Sequence, residues 1–253
     1  MEAEKKRKDQ QKKRKLLSYE ELPDYMKENE YIRYHYRAEW PIRNALLSLF
    51  SWHNETLNIW TAANLNLIYC SGCHLLCCHS HRLNLFLLRM DYVGIAVMIV
   101  TSFFPPIYYI FQCDPHWQVT YLVAISAMGF VTVFTLLSPQ LSTGEFRAYR
   151  ALLFAGMGFS GIVPAVHAAV VNWGETRRNV TLAYETAMAT SYLTGTIFYV
   201  TRVPERWKPG WFDLAGHSHQ IFHAFVIAGA VAHYGAAVIF LQWRDKVGCG
   251  GAP

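Results

Sequence analysis

The chain has 253 residues, of which 53% are hydrophobic, 15% aromatic and only 16% charged, against roughly 25% charged in an ordinary soluble domain. That balance disfavours a soluble or a disordered protein. Eight of the 23 Lys and Arg residues and three of the 18 acids fall within the first fifteen positions, so this arm carries the whole net charge of +5. The basicity therefore belongs to one short arm suited to anionic lipid. It is no argument for a nucleic-acid-binding body.

In chain order, the basic arm is too charged for a signal peptide, and no apolar run follows it promptly. Tyr19 to Arg43 is mixed and polar and reads as an approach segment at the cytosolic face. From Asn44 to Trp60, Leu47, Phe50, Asn54, Leu57 and Trp60 recur at helical spacings, with His53 and Glu55 on other faces. This predicts an amphipathic helix, either lying at the membrane interface or covering an ordinary surface. Thr61 to Cys78 is uncharged but interrupted by Asn64, Asn66, Ser71, Gly72 and His74, and it either spans or re-enters.

Four stretches then clear the roughly 20 residues needed to cross hydrocarbon without one charge: Tyr92 to Cys113, Pro115 to Gly144, Ala151 to Gly174 and Leu214 to Trp243. A fifth span, Val180 to Thr201, carries only Glu185, close to its first turn. Pro105 and Pro106 are expected to kink or end their helix near its outer end. Gly156 and Ser160, followed by Gly161 and Pro164, allow close helix approach. The expected fold is all-α, a polytopic transmembrane bundle with five full spans and one partial one. The expected parts are a polar N-terminal region (1–43), an interfacial helix (44–60), the bundle (61–243) and a short tail (244–253).

The six cysteines, Cys70, Cys73, Cys77, Cys78, Cys113 and Cys249, lie mostly in apolar surroundings, where Cys acts as a small hydrophobe. No disulfide framework is expected. Cys70 and Cys73 have CxxC spacing but lack the second pair or βαβ setting that redox or zinc chemistry would need.

Basic residues alternate between the loops as the positive-inside rule requires. His79 to Met90, Ser138 to Arg150 and Arg202 to Asp213 hold Arg82, Arg89, Arg147, Arg150, Arg202, Arg206 and Lys208 and should face the cytosol. The loops around Asp114 and Glu175 hold only Arg177 and Arg178, beside the sequon at Asn179. One full crossing by Thr61 to Cys78 cannot join a cytosolic arm to the cytosolic loop at Arg82. Either that stretch fails to cross, or the arm is exported, or a span that would restore the parity is missing; an incomplete segment is favoured, since the alternatives defy the charge of the arm or of the loops.

Within membrane segments an ionisable side chain is a site hypothesis by default. His219 and His223 are four residues apart at the inner start of the last helix, so both imidazoles share one face. His74 lies just before the first cytosolic loop and Asp91 just after it, at the same depth. Three imidazoles with an open fourth position make a catalytic Zn²⁺ arrangement, and Asp91 can orient the zinc-bound water. Such a site hydrolyses amides or esters, and the carbonyls available in a bilayer belong to lipids. In the plainer reading these are interfacial histidines bonded to carbonyls, with Asp91 a first-turn acid. His167, His217 and His233 are assigned to packing or pore polarity.

The run CHLLCCHSHRLNLFLLRMDYVGIAVMIVTSFFPPIYYIFQC and the segment RVPERWKPGWFDLAGHSHQIFHAF resemble the progestin and adipoQ receptor family, as does YEELPDYMKENEYIRYHYRAEWPIRNALLSLFSWHNETLNIWT. The resemblance is nearest to its plant heptahelical members and extends to adiponectin receptors and hemolysin III proteins. It implies seven helices, a cytosolic N-terminus, an external C-terminus and zinc near the inner leaflet. His74, His219 and His223 match the ligand positions, and Asp91 matches the acid that holds the zinc-bound water. Cys70 stands where adiponectin receptors have a serine. The family is linked to receptor signalling, to ceramide hydrolysis, and in plants to hormone, sugar and osmotic responses. After NETLNIWT the family completes a first span and an external loop, whereas here the end of the second helix follows almost directly.

The resulting expectation is a multi-pass protein of the plasma membrane or an endomembrane, receptor-like in signalling, with a Zn²⁺ site that hydrolyses a ceramide-type amide. The alternative is a non-catalytic receptor whose zinc only staples helices. A transporter, which would show paired repeats or broken helices at midplane, ranks last. Expected partners are membrane lipids, a sphingolipid substrate and an extracellular ligand that the sequence leaves unnamed. Homo-oligomerisation is left open, and nucleic acid is excluded.

Overall fold

The computed structural model describes residues 15–64 and 68–249, and these are helical apart from loops and one antiparallel bridge between Leu17 and Tyr36. In order, the helices are α1 (Ile42–Leu47), α2 (Thr56–Asn64), α3 (Ile68–Leu76), α4 (His81–Ile110), α5 (Pro115–Leu136), α6 (Arg147–Ser160), α7 (Ile162–Val171), α8 (Arg178–Thr201) and α9 (Ser218–Val247). Four helical segments are long and apolar enough to cross a membrane: α4, α5, the α6–α7 stretch Gly144–Val171, and α9. The protein is thus an all-α, multi-pass membrane bundle. Its large apolar side chains point outward, with Phe130, Phe134, Val163, Val170 and Tyr234 all exposed, as a surface solvated by lipid requires.

α8 has 24 residues, about 36 Å of rise. It mixes Thr and Tyr with Glu185 and does not reach the apolarity of the other four. It packs along α9, where Tyr192 faces Gly229 and Tyr184 faces Gly235. The prolines do not end α4, which runs on to Ile110. Pro106 has no N–H to give the carbonyl four residues back, and that carbonyl, on Ser102, accepts His233 Nε2 at 2.8 Å instead. His233 thus ties α9 to α4 through Ser102, and its Nδ1 lies 3.5 Å from Glu185 Oε1 on α8.

Three sequence expectations need correction. The stretch 44–60 is not one helix: α1 ends in a 3-10 turn, Ser48–Phe50, and Ser51 is extended (φ −113°, ψ 146°) before α2 begins. Side chains there take the backbone groups a helix would use. Thr56 Oγ1 donates to the Ser51 carbonyl at 2.7 Å and accepts the His53 N–H at 2.9 Å. Second, most of the loop predicted from His79 to Met90 is helix, since α4 starts at His81. Asp91 consequently lies well inside α4. Third, a disulfide joins Cys113, after α4, to Cys249, after α9. Spacing could not reveal a pair 136 residues apart. Cys70, Cys73, Cys77 and Cys78 are free, as expected.

The short hairpin of α2 and α3 sets the position of the site. Each helix has nine residues, about 14 Å of rise against roughly 30 Å of hydrocarbon. They are antiparallel, because Glu55 before α2 meets His74 in the last turn of α3 at 2.8 Å. The start of α2 and the end of α3 therefore lie at the same end of the bundle. Residues 65–67, between the two helices, lie outside the described part.

The polar region before α1 caps that end of the bundle. Asp213, between α8 and α9, accepts the backbone N–H groups of Arg33 and Tyr34, each at 2.9 Å. Buried Glu205 accepts the Ser218 N–H at 2.7 Å and Asn29 Nδ2 at 3.1 Å. A carboxylate at the start of α9 satisfies an N–H the helix leaves free and complements its dipole.

Candidate metal centre

His74, His219 and His223 come together, each offering a nitrogen within 4.8 Å of the others. Their ring centroids are 4.6 Å (His219 to His223), 5.3 Å (His74 to His219) and 5.4 Å (His74 to His223) apart. The one-turn spacing on α9 places two of the rings together, and the α2–α3 hairpin delivers the third. Asp91 is outside this ligand set. It is half-buried, and its carboxylate lies close to the Cys70 thiol and to His74. His217 is not one of the three; its Nε2 is bonded to the Asn54 carbonyl at 3.3 Å. His167 is also elsewhere, hydrogen-bonded through Nδ1 to Tyr121 at 2.9 Å.

Three groups escaped the sequence reading. Glu55 Oε2 accepts His74 Nδ1 at 2.8 Å and Asn58 Nδ2 at 2.9 Å. Thr61 Oγ1 is 2.8 Å from His223 Nδ1. Arg37, only 2% exposed, donates from Nη2 to the His74 carbonyl and from Nη1 to the Leu75 carbonyl, both at 3.0 Å, and from Nη1 to Ser48 Oγ at 2.7 Å. A cation on the last carbonyls of a helix complements its dipole and here fixes the backbone that carries His74. Glu55 did leave a signal, as the only charged residue between Arg43 and Arg82. Arg37 left none, because a guanidinium bonding main-chain carbonyls makes no sequence pattern.

The residues fit a metal ion. His219 Nε2 is buried with no hydrogen-bond partner among the described residues, an arrangement that costs about 1–3 kcal/mol in a protein interior and that a cation relieves. Nitrogens 2.0–2.1 Å from a tetrahedral Zn²⁺ stand about 3.3 Å apart. The observed set closes to that with a movement of about an ångström per ring. Three neutral imidazoles are the donors of a zinc site with one position free.

Residues 62–234, more than half of the chain, match the haemolysin-III-related family. The chain belongs to that family. Among its relatives, Heptahelical transmembrane protein 1 of Arabidopsis thaliana is 54% identical over 94% of this chain and 85% of its own length. Heptahelical transmembrane protein ADIPOR1 of Oryza sativa subsp. japonica is 52% identical over 93% and 86%, and the Adiponectin receptor protein of Drosophila melanogaster 33% over 87% and 58%. The chain is shorter than this relative over the aligned length: the Arabidopsis alignment has 281 positions, and 94% of 253 residues fills about 238 of them, leaving about 43 without a counterpart. The short α2–α3 hairpin accords with such a loss.

Proposed function

We propose that this haemolysin-III-related protein is a receptor-like membrane protein that holds one Zn²⁺ on His74, His219 and His223, and that it hydrolyses the amide of a ceramide-type lipid. The observation that carries the reading is the convergence of three imidazoles on a point where His219 Nε2 has no other partner. Zinc there supplies an acidified water and a Lewis acid for a carbonyl. The protein's own part is to aim the three rings, to hold a proton acceptor beside them in Asp91, and to keep the site within a bundle whose outer face is lipid. The histidine-bearing end carries Arg82, Arg89, Arg147, Arg150, Arg202, Arg206 and Lys208 and is proposed to face the cytosol.

The test is made on zinc-loaded protein in lipid nanodiscs containing a ceramide. Release of free fatty acid is expected from the wild type. Asp91→Asn should suppress it while weakening zinc affinity by about 10- to 100-fold, the usual effect of losing a group outside the ligand set. Bound zinc with no hydrolysis of any sphingolipid offered would overturn the enzyme reading. It would select the non-catalytic receptor, in which zinc ties α3 to α9.

A further inference from the structure

The short hairpin does more than bring His74 to the bundle. Glu55, immediately before α2, and Thr61, in the middle of it, each engage an imidazole of the ligand set through Nδ1, at 2.8 Å in both cases. The proton positions follow from the partners. An ionised carboxylate can only accept, so His74 Nδ1 carries the hydrogen it gives to Glu55. Thr61 Oγ1 has a single hydrogen, and it lies 2.6 Å from the Leu57 carbonyl, which also can only accept. The hydroxyl therefore donates to Leu57 and accepts from His223 Nδ1–H. Both rings are thus held as the tautomer with a bare Nε2, and the nitrogen left free on each is the one a metal would use.

Resting on the zinc reading above, we infer that α2 is the orienting element of the metal site, with Glu55 and Thr61 as positioning residues that set tautomer and ring angle for His74 and His223. Asn58, whose Nδ2 donates to the same Glu55 oxygen at 2.9 Å, restrains the carboxylate. A hydrogen-bond acceptor behind a metal-bound imidazole raises its basicity and fixes its orientation. The short hairpin is consequently a working part of the site. Among the described residues His219 has no such partner from α2, and its position comes from α9.

Zinc affinity is measured by competition with a chelator of known strength, on full-length protein in detergent, for Glu55→Gln, Glu55→Ala, Thr61→Val and Thr61→Ser. Glu55→Ala and Thr61→Val should each weaken affinity about 10- to 100-fold. Glu55→Gln, which keeps an acceptor oxygen but not the charge, should fall between Glu55→Ala and the wild type, and Thr61→Ser should restore it. Cobalt substitution gives a second readout, since a loosened ring alters the ligand-field spectrum of the bound Co²⁺. Unchanged affinity and unchanged cobalt spectra in Glu55→Ala and Thr61→Val would overturn the inference and leave the three-histidine site standing. So would equal loss in Thr61→Val and Thr61→Ser, which would mark packing and not acceptance as the role of Thr61. A wild type that takes up neither metal would overturn the site itself.

Discussion

His53 is fully buried between α1 and α2, with Nε2 on the Ser48 carbonyl at 3.2 Å and Nδ1 taking the Glu55 N–H at 3.2 Å. Burial, reinforced by the nearby Arg37 guanidinium, pushes its pKa down from 6.5 to about 4. The folded protein therefore holds a neutral ring that the unfolded chain protonates more readily. Its stability contribution is complete above pH 6.5 and is lost as pH falls toward 4, by up to about 3 kcal/mol. Unfolding midpoints taken in chelator at pH 7.5 and pH 5 should fall further for the wild type than for His53→Gln; equal falls would contradict this. At this scale the sequence was informative where spacing carries the message. His219 and His223 announce themselves four residues apart, whereas the partners that aim the rings do not, because Thr61 and Arg37 act through contacts 162 and 37 residues distant.

Between helices, packing is decided by small residues against rings. A Cβ added at Gly229 of α9 would stand 2.5 Å from Cε1 of Tyr192 on α8, and one at Gly235 would stand 2.7 Å from Tyr184. Gly229→Ala should destabilise the bundle by about 1–3 kcal/mol, and the same substitution in a Tyr192→Ala background should cost much less; additive losses would show that the two do not meet. His233→Phe offers a separate probe of α4. It leaves the Ser102 carbonyl unpaired and should cost about 1–3 kcal/mol, whereas His233→Gln, which can still donate, should cost less. Equal cost in both would contradict the donor role. Apolar runs located the spans, since hydrocarbon thickness sets their length. Their ends were less visible: α4 begins with ten residues, His81 to Met90, that include Arg82 and Arg89 and so resemble a loop. The break at Ser51 was hidden because Thr56 and His53 bond the backbone there, which no hydrophobic period records.

For the molecule as a whole, the two ends of the bundle differ chemically. One end gathers the basic loops, the polar cap and the histidines. The other holds the Cys113–Cys249 disulfide and an exposed Asn179 in a sequon, features that suit an oxidising, glycosylating compartment. Tags at Met1 and near Lys208 should therefore report the same side, and a glycan should form at Asn179 but not at Asn54, which is 5% exposed; a glycan at Asn54 would overturn this orientation. Charge parity alone calls for an even number of crossings between arm and basic loop. Its structural solution, a hairpin of two nine-residue helices, depends on the Glu55 to His74 contact and could not be read from composition. The most direct test of the account is zinc stoichiometry in purified protein. One Zn²⁺ per chain is predicted for the wild type and almost none for the His219→Ala, His223→Ala double variant; stoichiometric zinc in the double variant, or none in the wild type, would contradict the metal centre.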